Sequence, residues 1–95
     1  MNETPHQLSQ RRIGLAAEYS AGANRLGFLR ANKAVRWLEM RVDHKSDKSC
    51  DMAWDATELG QEEIKLSYKL RGLEKELSAI NGQLRLYENE ARNQF

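Results

Sequence analysis

Ninety-five residues, 40% hydrophobic and 31% charged with a formal charge of only +1, suffice for one small domain and leave little room for a core. The charge balance argues against a wholly disordered chain and against the strongly basic footprint of a dedicated nucleic-acid binder. With no apolar stretch near the ~18 residues of a membrane span, no signal-peptide pattern and a lone cysteine, Cys50, that has no internal disulfide partner, a cytoplasmic protein is expected.

Proline occurs once, at position 5, and β-branched residues are few, so the expected class is all-α. The first arm spans residues 4–45. Thr4-Pro5-His6-Gln7 reads as a helix start: Thr4 caps, Pro5 suits the first helical position, and Gln7 completes a capping box. Apolar spacing runs through Leu8, Leu15 and Tyr19, then weakens over residues 20–24, where a kink or break near residue 22 is expected. It resumes as Phe28, Ala31, Val35, Leu38 and Val42 and fades at His44-Lys45, where cations suit a helix C-terminus.

Residues 46–50 read as a polar turn, with Ser49 or Asp51 capping the next helix. The second arm, residues 51–92, carries the clearest pattern in the chain. Leu66, Leu70, Leu73, Leu77, Ile80, Leu84, Tyr87 and Ala91 alternate in steps of four and three, a heptad seam that buries a narrow stripe against another helix. Traced backwards, the seam takes in Met52, Ala56, Leu59 and Glu63.

Charge divides between the arms. Residues 1–50 hold nine Lys/Arg and five Asp/Glu, residues 51–95 six and nine. The flanks of the seam are mostly acidic (Asp55, Glu62, Glu74, Glu76, Glu88 and Glu90, with Lys69 the one cation), so the basic first arm is its natural partner. A single domain over residues 1–95 is expected, folded as an antiparallel, coiled-coil-like helical hairpin. Leu38 would lie near Leu59, Phe28 near Leu66 or Leu70, Tyr19 near Leu77, and Leu8 near Tyr87. Gly14, Gly22, Gly27, Gly60, Gly72 and Gly82 all fall within helical stretches, each costing roughly 1 kcal/mol against alanine. Two such helices leave much apolar surface wet, so self-association into a dimeric helical bundle is expected.

Candidate functional surfaces follow from this arrangement. Arg30, Lys33, Trp37 and Arg41 share one side of the first arm and are the candidate contacts for a protein partner or a nucleic acid, where cations bind phosphate and an aromatic stacks. Gly72, Ala79, Gly82 and Leu86 lie opposite the seam, a candidate second docking face for a closely approaching helix; the ordinary alternative is a solvated face. Asp43, His44, Asp47, Cys50 and Asp51 gather near the turn without paired zinc-ligand spacing, so no metal site is expected. Trp54 is expected to pack against Val42. No phosphate loop, nucleophile elbow or histidine-carboxylate set is present, and His6 and His44 would sit at opposite ends of the hairpin; no catalysis, no cofactor and no small-molecule substrate are expected. The reading is a non-enzymatic protein–protein interaction module, a small adaptor or inhibitor that occludes or bridges its partner. Its size and build are analogous to those of phage-type inhibitors of host nucleic-acid-processing or regulatory proteins. The alternatives are a nucleic-acid-binding module using the basic face and a purely structural oligomerisation element.

Overall fold

A computed structural model describes residues 3–93, and every regular element among them is helical. Helix α1 spans Pro5–Arg41, α2 Asp47–Asp55 and α3 Glu58–Asn93. The molecule is a slender rod, 69 × 21 × 19 Å.

Local chemistry sets the start of α1 as the sequence implies. Thr4 Oγ1 accepts from Gln7 N at 3.2 Å, and Gln7 Oε1 accepts from Thr4 N at 2.9 Å, closing the capping box ahead of Pro5. The expected break near residue 22 does not occur: α1 is continuous for 37 residues, about 55 Å. Gly22 instead lies close against the seam of α3. A Cβ there would stand 2.8 Å from Leu70 Cδ2 and 3.5 Å from Leu66 Cδ1. The glycine admits the seam of α3, and with no proline nearby nothing interrupts the hydrogen-bond ladder.

Continuity fixes which side of α1 faces inward. Phe28 lies nine residues after Tyr19, two and a half turns at 3.6 residues per turn, and so points the opposite way on an unbroken helix. The inner stripe of Leu15 and Tyr19 carries on through Gly22, Leu26 and Leu29. Leu26 packs with Leu70 and Leu73, and Leu15, Tyr19 and Leu66 close around them. Leu8, Leu29 and Ile80 are fully buried farther along the rod. The expected inward stripe of Phe28, Ala31, Val35, Leu38 and Val42 therefore faces solvent, and neither the Leu38–Leu59 pairing nor the packing of Phe28 on Leu66 or Leu70 forms.

Between α1 and α3 the polar contacts run in reverse order along the two helices. Arg12 Nη1 donates to Asn81 Oδ1 at 3.2 Å, Tyr19 Oη to Glu74 Oε1 at 2.7 Å, and Arg25 holds Glu62 through two bonds of 2.5 and 2.8 Å. Tyr87 Oη donates to the carbonyl of Glu3 at 2.8 Å. Tyr19 lines one shallow cleft with both Glu74 and the expected Leu77. Lys69 pairs with Glu18 at 3.0 Å, the one ion pair among the described residues in which the cation lies on α3. Apart from the part-buried Tyr87 bond, these pairs are exposed and screened by solvent, so they set the register while the apolar stripe supplies the stability.

The second arm is two helices rather than one. Ser46, not Ser49 or Asp51, caps α2: its Oγ accepts from Ser49 N at 3.1 Å. The α2 helix ends at Ala56, and Thr57 builds the junction with its hydroxyl, which donates to the Trp54 carbonyl at 2.6 Å and accepts from Gly60 N at 3.0 Å. Gly60 sits against the end of α2 so closely that a Cβ would lie 2.0 Å from Trp54 O. This bend shifts the phase of the backward-traced seam. Met52 and Ala56 are exposed, whereas Cys50 and Trp54 are buried in their place. The seam proper holds: Leu70, Leu73 and Ile80 are buried and Leu66, Leu77, Leu84 and Tyr87 half-buried, with only Ala91 exposed.

Candidate interaction site

The end of the rod formed by the last turns of α1, the connecting turn and α2 gathers most of the side chains with recognition chemistry. Trp37 Nε1 donates to Asp51 Oδ1 at 2.8 Å across the α1–α2 boundary. Arg41 Nε donates to Asp47 Oδ1 at 2.7 Å, and its Nη1 to the carbonyl of His44. Lys33 Nζ stands 3.9 Å from Glu63 Oε1 on α3. Three of the four candidate contact residues are therefore engaged within the chain, because the inner stripe of α1 carries Lys33 and Trp37 towards α2 and α3. Arg30 is exposed and, among the described residues, has no ion-pair partner. Arg30, Lys33, Trp37, Leu38 and Asp51 share one shallow groove.

The turn residues are also spoken for. His44 Nδ1 lies 3.0 Å from Ser49 Oγ, and Cys50 Sγ donates to the Trp37 carbonyl at 3.5 Å. Burial is the main influence that raises the Cys50 thiol above its ordinary pKa. Among the described residues, no three His, Cys, Asp or Glu side chains gather in a way that could hold a metal ion. Trp54 is 1% exposed but does not pack under Val42, which is 85% exposed; it lies with Arg36, Met40, Thr57 and Leu59. Among the described residues its Nε1, like Glu63 Oε2, is buried without a hydrogen-bond partner, which carries a polar cost.

The most distinctive surface is one that the sequence reading turned inward. Phe28, Val35 and Leu38 are 55%, 60% and 64% exposed, and with Ala31 and Val42 they form a heptad-spaced apolar stripe on the side of α1 opposite its core-facing stripe. Arg25 lies over the Phe28 ring, 5.0 Å from its centroid. The usable signal was the phase of Leu26 and Leu29, which continues Leu15 and Tyr19 in steps of three and four.

On α3, Gly72, Ala79, Gly82 and Leu86 are all exposed, and a Cβ at Gly72 or Gly82 would meet nothing within 4 Å. Gly82 borders a shallow cleft that Tyr19, Glu74, Asn81 and Arg85 also line. No helix among the described residues is long and apolar enough to cross a membrane. No family model, no curated protein and no solved structure matches this chain.

Proposed function

We propose that this chain is a single-domain antiparallel helical hairpin that works by contact, as a non-enzymatic protein–protein interaction module of the adaptor or inhibitor type. One observation carries the reading: α1 is apolar on two opposite sides, and the fold covers only one of them. An uncovered helical stripe of this spacing suits docking against another helix. The engagement of Lys33, Trp37 and Arg41 within the same chain speaks against the nucleic-acid alternative, since the two cations already have carboxylate or carbonyl partners and the Trp37 indole N–H is held by Asp51.

Affinity capture from a lysate with the tagged chain, read by mass spectrometry, tests the proposal. A defined protein other than the bait, retained when salt is raised, supports it. Recovery of the bait alone would leave a structural oligomerisation element. Binding to DNA or RNA that falls steeply with salt, and weakens in Arg30→Ala, would replace it with the nucleic-acid reading.

A further inference from the structure

We propose that the outer stripe of α1 is covered by a second copy of this chain, paired antiparallel about a two-fold axis near residue 33. The inference rests on the reading of the protein as a module acting through helix faces, and it names the occupant of the uncovered one.

The stripe is complementary to itself. In this antiparallel register Phe28 faces Leu38 of the second copy and Ala31 faces Val35 of the second copy, and the two-fold repeats both contacts. Large residues meet at the two ends, and the small Ala31 is matched by a mid-sized valine rather than by itself. In a parallel pairing Ala31 would face Ala31 and leave a gap between the layers of Phe28 and Val35.

The borders of the stripe agree. Arg25, Asn32 and Glu39 lie along one edge, Gly27, Ala34 and Arg41 along the other. Antiparallel pairing brings Arg25 beside Glu39 of the second copy, Asn32 beside Asn32 of the second copy, and Arg41 beside Gly27 of the second copy. No like charges meet. The parallel arrangement is free of repulsion too, but it forms no ion pair along these edges. Arg25 already holds Glu62 and lies over Phe28, so it is positioned at the border before the second copy arrives.

The contact is small. With Phe28 55%, Val35 60% and Leu38 64% exposed on each copy, the pair offers on the order of 600 Å² of apolar cover, below a standard specific interface, as suits a transient contact. A weak dimer is expected, whose affinity is set by the fit of the stripe and its charged edges rather than by area, and which links adaptor surfaces reversibly rather than permanently.

Sedimentation equilibrium across the micromolar range provides the test, with two glutamate substitutions on the stripe and one away from it. The unsubstituted chain should dimerise. Val35→Glu and Leu38→Glu should weaken dimerisation by at least about tenfold with unchanged circular dichroism, because both positions are exposed in the single chain. Leu86→Glu, on the outer face of α3, should leave it unchanged. Orientation is read by oxidative cross-linking, with buried Cys50 left in place and the unsubstituted chain as background. A mixture of Ala31→Cys and Val35→Cys chains should cross-link, and either alone should not. A chain that stays monomeric throughout, a dimer indifferent to Val35→Glu and Leu38→Glu, or self-linking of Ala31→Cys would each overturn the proposal. A monomer that still captures a lysate protein through the stripe would overturn the second copy while leaving the interaction module standing. A stripe-dependent dimer that captures nothing would do the reverse.

Discussion

Two glycines of α3 show how one residue type does opposite work at different positions. At Gly82 a Cβ would meet nothing within 4 Å, so Gly82→Ala should raise stability by about 0.5–1 kcal/mol through helix propensity alone. At Gly60 the added atom would stand 2.0 Å from the Trp54 carbonyl, a backbone atom that cannot rotate away. Gly60→Ala should cost about 3 kcal/mol or more, because α3 must move off the end of α2. Paired denaturant titrations measure both. The cross-helix pairs add a pH dependence of definite sign. Hydrogen bonding to Arg25 holds the Glu62 carboxyl below its ordinary 4.5. Its contribution is present above that value and lost as pH falls through the folded one. Tyr19, hydrogen-bonded to Glu74, is held above its ordinary 10.0, so its contribution is present below that value and lost as pH rises through the folded one. Arg25→Ala should flatten the acid limb of stability against pH and leave the alkaline limb, and Tyr19→Phe should do the opposite.

At the scale of elements, the Thr57 hydroxyl ties the junction between α2 and α3, beside the Thr57 backbone N–H on the Trp54 carbonyl and the Gln61 side chain on the Asp55 carbonyl. Thr57→Ala removes both the bond to the Trp54 carbonyl and the cap on Gly60 N, and should cost about 1–2 kcal/mol. Thr57→Ser should restore most of it, as thermal melting would show. This junction also marks where the sequence stops being legible. The Thr4–Gln7 cap was readable because its partners lie three residues apart, and the seam from Leu66 to Tyr87 because its spacing never falters. Thr57 and Gly60 look like ordinary helical residues until α2 folds back, so a seam extrapolated through Ala56 comes out in the wrong phase. Residues 20–24 mislead in the opposite sense. Small residues there resemble a break, and a break would let Phe28 face inward. The close approach of Leu70 to Gly22 depends on α3, some 48 residues away in the chain, and no local signal encodes it. The basic face stands out as residues, but the turn of Lys33 and Trp37 towards α3 and α2 follows from the phase of the continuous helix, while Arg30 stays exposed.

For the whole molecule, slenderness is the governing property. The Cα radius of gyration is 20.0 Å, against about 12 Å for a compact domain of this length. The core is thus a thin seam between the helices, with the outer stripe of α1 left uncovered, and a second layer has much to add. Pairing about residue 33 overlaps only the α2 end of each rod and sends the two capped ends apart. Small-angle scattering on the dimer should therefore report a maximum dimension on the order of 90–100 Å, whereas two rods lying fully side by side would remain near 69 Å. Lateral growth into larger bundles would give a thicker particle with little added length.

Cys50 gives this architecture a built-in clock. Its thiol is fully buried beneath the last turns of α1, with Sγ on the Trp37 carbonyl. A thiol reagent can reach it only when α2 swings away, so the labelling rate counts openings of that end of the rod rather than the chemistry of sulfur. Labelling should be slow in the native chain and should quicken in Arg41→Ala, which removes the clasp to Asp47. Should the rate in that variant match the native one, α2 is held by its buried side chains alone, and the end of the rod opens only when the rest of the molecule does.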